Sequence, residues 1–157
     1  MDKIRRIFPL LILFTLLSCA DTIETRIPYR AVYLELDLTY QDKALNAIQA
    51  YKIYTSKDVD QAGEQTGFGG VLVYHGLSSN GTGAFFAFDA ACSHEASANV
   101  IVDVDESAVY AICPKCGSKF GLLNGIGNPV EGPCAEEKQA LKQYVVDTNG
   151  NKIYIHN

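Results

Sequence analysis

Cys92-Ser93-His94 and, after eighteen intervening residues, Cys113-Pro114-Lys115-Cys116-Gly117-Ser118-Lys119-Phe120 decide how this chain is read. Each half comes shortly after an apolar run, residues 84–88 in one case and 108–112 in the other, and small residues follow it. That places both halves in loops at strand ends. Two such loops, each supplying two ligands, can converge on one metal centre. Cys92, His94, Cys113 and Cys116 together offer three thiolates and an imidazole, the four donors that tetrahedral zinc or a two-iron cluster takes.

Outward from these loops the chain is short strands and turns. Val32, Leu34, Leu36 and Leu38 alternate with Tyr33, Glu35 and Asp37, the period of a strand with one buried face. Residues 71–74 (VLVY) and 84–88 (AFFAF) are separated by GLSSNGTG, a turn sequence. Residues 100–104 and 108–112 bracket Asp105-Glu106-Ser107 as a second hairpin. Residues 144–146 and 153–155 flank Asn149-Gly150, the strongest short hairpin signal in the chain. Only residues 42–50 (DKALNAIQA) have helical composition, enough for one or two turns. The pattern predicts an all-β domain of antiparallel hairpins. His75 and His156 read as a structural and a solvated histidine. No Ser–His–Asp order, phosphate loop or paired catalytic carboxylate stands out, so independent catalysis is not expected.

Residues 1–18 (MDKIRRIFPLLILFTLLS) stand apart. Lys3, Arg5 and Arg6 precede an apolar run from Ile7 to Leu17, the pattern of a secretory signal peptide. The run is shorter than the roughly 20 apolar residues of a bilayer span. Leu16-Leu17-Ser18-Cys19 resembles the bacterial lipobox, which implies lipidation of Cys19 after cleavage and anchoring to a membrane without crossing it. Residues 19–28 would then be the tether, and the body would face the periplasm or the cell surface. Arg5-Arg6-Ile7-Phe8 also resembles the core of the twin-arginine signal; general secretion is the alternative. The chain of 157 residues has 13 Lys+Arg against 18 Asp+Glu, a net of −5. Without residues 1–18 the balance is 10 against 17, a net of −7. Such a charge lacks the basic footprint of a nucleic-acid binder and would not draw the body to anionic headgroups. Of the 5 cysteines, Cys19 goes to the lipid and Cys134 has no assigned role.

The two cysteine loops resemble those of Rieske iron–sulfur domains, whose signature is Cys-x-His followed later by Cys-x-x-His, Gly-Ser and an aromatic. The resemblance runs from about Tyr29 to the C-terminus. Gly70-Val71-Leu72-Val73-Tyr74 and Phe86-Ala87-Phe88-Asp89 are similar to the strands feeding the first loop. Gly127-Asn128-Pro129-Val130-Glu131-Gly132-Pro133, with Leu141 and Tyr144, is similar to the family's Gly-Pro segment and closing strands. The resemblance implies a Rieske-like antiparallel sandwich over residues 29–157, with a small cluster-binding subdomain of two hairpin loops at about 89–134. It implies a [2Fe–2S] cluster on Cys92, His94, Cys113 and Cys116, and one-electron transfer or redox sensing with a redox partner protein that the sequence does not name.

Cys116 departs from the family, standing where the second histidine is expected. Carried over, Cys92 and Cys113 would hold the inner iron, and His94 and Cys116 the outer. Three thiolates on a 2+ core leave the centre negative, which lowers its potential from the Rieske range of about −150 to +300 mV toward the plant-type value near −400 mV. Phe120 replaces a hydroxyl-bearing tyrosine, and no cysteine after His94 or at Lys115 can form the loop-to-loop disulfide of the respiratory proteins. Two other readings stay open. One is a structural zinc site on the same Cys3His set. The other is a metal-free, degenerate fold acting as an interaction module, with Cys113 bonded to Cys116 or either bonded to Cys134, since exported thiols tend to oxidise.

Overall fold

Val71, Leu72, Val73 and Tyr74 are all fully buried, and the reason orders the whole molecule. Successive strand side chains point to opposite faces, so four consecutive buried residues need cover on both sides. Val71 and Val73 pack into one core with Val32, Leu34, Leu36, Tyr54, Ile153 and Ile155. Leu72 and Tyr74 pack into another with Phe88, Val102, Ala111, Phe120, Leu122 and Leu141. The strand that carries them is the middle of three layers.

The computed structural model describes residues 25–157; the signal segment 1–18, Cys19 and the start of the tether lie outside the described residues. Eleven strands follow in order: β1 Val32–Asp37, β2 Tyr51–Tyr54, β3 Gln65–Thr66, β4 Val71–Leu77, β5 Gly83–Asp89, β6 Asp103–Val104, β7 Tyr110–Ile112, β8 Lys119–Gly121, β9 Pro129–Glu131, β10 Gln143–Asn149 and β11 Lys152–His156. They form a seven-stranded sheet, β2-β4-β5-β10-β11-β1-β3, and a four-stranded sheet, β6-β7-β8-β9. Every pairing is antiparallel. The domain is all-β, as the alternation and turn signals predict.

β10 is the corner of the larger sheet. Gln143 and Tyr144 pair with Phe88 and Ala87 of β5, whereas Val145 to Asn149 pair with β11. One strand thus serves two leaves, β2-β4-β5 and β11-β1-β3, whose facing side chains make the first core. The small sheet covers the other face of β4 and β5 and makes the second core, which contains Cys92, Cys113 and Cys134. Among the described residues no helix is long and apolar enough to cross a membrane.

The structure adjusts three local expectations. Residues 42–50 form a single 3-10 turn, Lys43–Asn46, because one apolar side chain, Leu45, anchors it rather than a stripe. The hairpin over residues 71–88 is longer than its apolar run, with Ser78, Asn80 and Thr82 closing a tight loop through side-chain hydrogen bonds. Residues 100–102 do not extend β6; Ile101 makes one bridge to Ala91 while the chain crosses from the large sheet to the small one. The Asn149-Gly150 turn forms as expected, with Gly150 at φ +61.

Candidate metal centre

Three segments of backbone build the site. The first leaves β5 at Asp89, whose carboxylate is fully buried and accepts four hydrogen bonds. Oδ1 takes the amides of Gly69 (3.0 Å) and Ala91 (2.9 Å), and Oδ2 takes the Phe68 amide (2.9 Å) and the Tyr144 hydroxyl (2.6 Å). A buried carboxylate is tolerated only with such pairing. Here it aims the chain into the Cys92 loop, which closes with the Ala96 amide on the Cys92 carbonyl at 2.9 Å. Buried Ser93 donates to the Ala140 carbonyl and anchors the loop underneath.

The second segment joins β7 to β8. The Gly117 amide donates to the Cys113 carbonyl (3.0 Å) and the Cys113 amide to the Ser118 carbonyl (2.9 Å), folding Cys113-Pro114-Lys115-Cys116 into a tight knuckle. The third is Gly132-Pro133-Cys134. Gly132 has φ +80, and a Cβ there would lie 2.8 Å from the Ser118 Cα, so only glycine lets this strand end rest on the knuckle. Pro133 then opens the one-turn helix α1, Pro133–Glu136, as suits a first helical position. The Cys134 amide donates to Ser118 Oγ at 3.0 Å.

These segments bring together Cys92, Cys113 and Cys116, whose sulfurs all lie within 4.8 Å of one another, with Cys92 and Cys116 at 3.6 Å. All four cysteines of the described residues are free thiols, and Cys92, Cys113 and Cys134 are buried while Cys116 is partly exposed. The Lys115 and Cys116 amides favour the thiolate of Cys113, the Glu95 amide that of Cys92 and the His94 amide that of Cys134. The Cys116 thiol donates to Ser118 Oγ at 3.2 Å. Lys115 pairs with Glu95 and ties the two cysteine loops across their exposed rim.

Of the four residues the sequence nominates, three meet and one stands apart. His94 Nδ1 lies 3.0 Å from Glu137 Oε2, the same oxygen that Arg26 Nη1 approaches at 3.0 Å, and the imidazole is 33% exposed. It is not part of the three-sulfur group. Cys134, unassigned from sequence, is fully buried in the same core as Cys92 and Cys113 and, like His94, is not part of the three-sulfur group. The signal that could have placed it is the Gly132-Pro133 pair just before it.

Protonation follows from this packing. Burial pushes the Cys113 thiol up to about 12. Cys92 is also raised, first because its thiol donates to Cys134 and then by burial. Cys134 falls to about 7, chiefly through that same hydrogen bond from Cys92, helped by Ser118 and the His94 amide. Glu137 raises the His94 pKa. A metal entering here must expel thiol protons, so its affinity rises with pH.

No family model matches the chain, and no curated protein matches it. Among solved structures, one similar chain belongs to the complex of reduced oxygenase and oxidised ferredoxin in carbazole 1,9a-dioxygenase. It is 17% identical, with a TM-score of 0.47, and the alignment covers 81% of this chain and 94% of that one.

The donors suit a thiolate-rich centre of four ligands. Three sulfurs already converge, and a fourth donor would have to come from outside that group, from His94 on the first loop or Cys134 on the third segment. The other histidines have structural partners. His75 Nδ1 is 2.8 Å from the Leu45 carbonyl with its ring stacked on Phe85, and His156 pairs with Asp147 at 3.0 Å. Asp105 caps its own turn through Ser107, Val109 and Tyr110. Thr25 to Pro28, the end of the expected tether, lie against the domain: Ile27 is buried and Lys142 Nζ donates to the Pro28 carbonyl at 3.0 Å.

Proposed function

We propose that this chain is an iron–sulfur electron carrier of Rieske-like type, holding a [2Fe–2S] cluster through Cys92, Cys113 and Cys116 with one further donor. The sequence resemblance nominates His94 for that place. The observation that carries the reading is the convergence of three free thiols from two loops. When bound, such a cluster accepts and returns a single electron. The chain's own residues set the conditions. Three thiolates give the site negative charge and favour a low potential, while the Lys115, Cys116 and Glu95 amides and the Ser118 hydroxyl offset part of it.

Partial exposure of Cys116 and His94 supplies an edge at which a redox partner protein can approach, whereas the other ligands sit in the core. Export and lipidation of Cys19 would hold the domain at a membrane of the bacterial cell envelope, as a one-electron relay or a redox sensor. The test is metal and acid-labile sulfide analysis of the chain purified anaerobically. Two irons with matching sulfide per chain support the reading. One zinc and no visible absorption would replace it with a structural zinc site. No metal, with Cys113 and Cys116 in a disulfide, would leave an interaction module.

A further inference from the structure

We infer that residues 25–28 form a strap that turns the metal-centre end of the domain toward the membrane, so that the first cysteine loop is held close to a lipid surface. This rests on the Cys19 anchor proposed above, and not on which metal the centre takes. The strap is pinned along its length. Thr25 Oγ1 lies 3.3 Å from Oγ of Ser93, the residue between Cys92 and His94. Arg26 Nη1 lies 3.0 Å from Glu137 Oε2, the oxygen that also meets His94 Nδ1. Ile27 is buried, and Lys142 Nζ donates to the Pro28 carbonyl at 3.0 Å and stands 5.4 Å from the centre of the Tyr29 ring. Asn157 then donates to the Arg30 carbonyl at 2.6 Å and accepts the Val32 amide at 3.2 Å, where β1 begins. The chain therefore enters the sheet already fixed, and the contacts nearest its start are to the Cys92 loop and to the residue that holds His94.

Reach converts this packing into an orientation. Thr25 follows Cys19 by six residues. Six residues span at most about 20–22 Å in any conformation. With a lipid on Cys19 in the bilayer, Thr25 and its neighbours Ser93 and Glu137 must stay within that distance of the lipid surface. The tip of the β4–β5 hairpin, residues 78–82, is at the far end of β5 from the Cys92 loop. The seven residues of β5 put roughly 23 Å between the two. Charge favours the same side. The rim carboxylates Glu95 and Glu137 are paired with Lys115 and Arg26. This end thus meets anionic headgroups with less repulsion than a body of net −7 offers elsewhere.

The chain has no tryptophan, and Ala98 on the Cys92 loop and Ser79 at the hairpin tip are both exposed, so each can carry a single reporter. The test uses the full chain, matured in a bacterial host, with lipid on Cys19 checked by mass spectrometry, and inserted in phosphatidylcholine vesicles. Energy transfer to a dansyl-headgroup lipid is measured for Ala98→Trp and Ser79→Trp, each against the same vesicles without dansyl. Transfer should be greater from Ala98→Trp by about twofold or more, given the roughly 23 Å of strand between the two positions. Adding Ile27→Asp to each chain should release the strap and bring the ratio toward one; Arg26→Ala, a surface change, serves if that variant does not fold.

Equal transfer from the two positions, or more from Ser79→Trp, overturns the inference. So does a ratio that strap release leaves unchanged. A mature chain with no lipid on Cys19 overturns it too, while the electron-carrier reading stands. Conversely, a chain that shows the expected ratio but holds no iron keeps the orientation and loses the carrier.

Discussion

Asp89→Asn acts on a buried carboxylate that holds four hydrogen bonds at once. Each carboxylate oxygen accepts two bonds, Oδ1 from Gly69 and Ala91 and Oδ2 from Phe68 and Tyr144. An asparagine of the same shape must put its NH2 at one of these places, and an amine cannot accept. The less costly choice is the Oδ2 place, where the Tyr144 hydroxyl can rotate to accept instead. The Phe68 amide is then orphaned, at about 1–3 kcal/mol, and the two bonds kept by Oδ1 drop from the charge-assisted to the neutral scale, about 1 kcal/mol each. Relief from burying a charge returns part of this.

The net expectation for Asp89→Asn is a loss of about 2–4 kcal/mol in unfolding free energy at neutral pH. Tyr144→Phe removes a single charge-assisted bond and leaves no orphan, so about 1.5–3 kcal/mol is expected. Because both act on one carboxylate, the double variant should lose less than the two effects added together. Urea denaturation at equilibrium reads these values from midpoint shifts at constant slope. An Asp89→Asn chain within 0.5 kcal/mol of the parent would refute this assignment of Asp89, as would strict additivity with Tyr144→Phe.

Other consequences are independent of that network. Gly132→Ala sets a methyl 2.8 Å from the Ser118 Cα at φ +80, so it should cost about 1–2 kcal/mol from the backbone conformation alone and lower metal content by disturbing the knuckle that carries Cys113 and Cys116, read by denaturation and metal analysis. Ser118→Ala orphans the buried Cys134 amide, and a loss of about 1–3 kcal/mol is expected in the same assay. Metal affinity should climb between pH 6 and 8, since Cys113 titrates at about 12 and Cys92 is also raised; competition with a chelator of known affinity at each pH measures it, and a flat profile would count against thiol ligation. Asp58 is pulled below its unfolded value of 3.8 by the Thr55 amide and hydroxyl. Its contribution to stability is therefore present above that value and lost as pH falls through the lower folded one; Asp58→Asn should be less stable than the parent at pH 7 and equal to it at strongly acidic pH.

Periodicity and turn chemistry are local properties, and where they alone decide structure the reading from sequence agrees with the fold. The alternation at Val32–Leu38 and the Asn149-Gly150 turn both appear as expected. What one strand's pattern cannot carry is which surface covers it. The VLVY run says that both faces of β4 are buried, but not that one faces the second leaf and the other the small sheet. The same limit applies at the site. Cys-x-His and Cys-x-x-Cys spacing locates three of the sulfurs, because each pair lies within a few residues on one loop.

Cys134 lies 18 residues beyond Cys116 and enters the core that holds Cys92 and Cys113 where Gly132 rests on Ser118, a contact between segments that no spacing rule encodes. His94 is set by a contact of the same kind, its Nδ1 meeting a carboxylate 43 residues away that is itself paired with Arg26.

The claim that most needs a direct trial is that this centre takes up one electron. The measurement is low-temperature electron paramagnetic resonance of the full chain, purified without oxygen and reduced with dithionite. A [2Fe–2S] centre held mainly by thiolates should be silent when oxidised and give a signal integrating to about one spin per chain when reduced, with a midpoint below the about −150 mV floor of two-histidine clusters. A chain that stays silent after reduction while holding zinc, or holding no metal at all, would contradict the electron-carrier assignment.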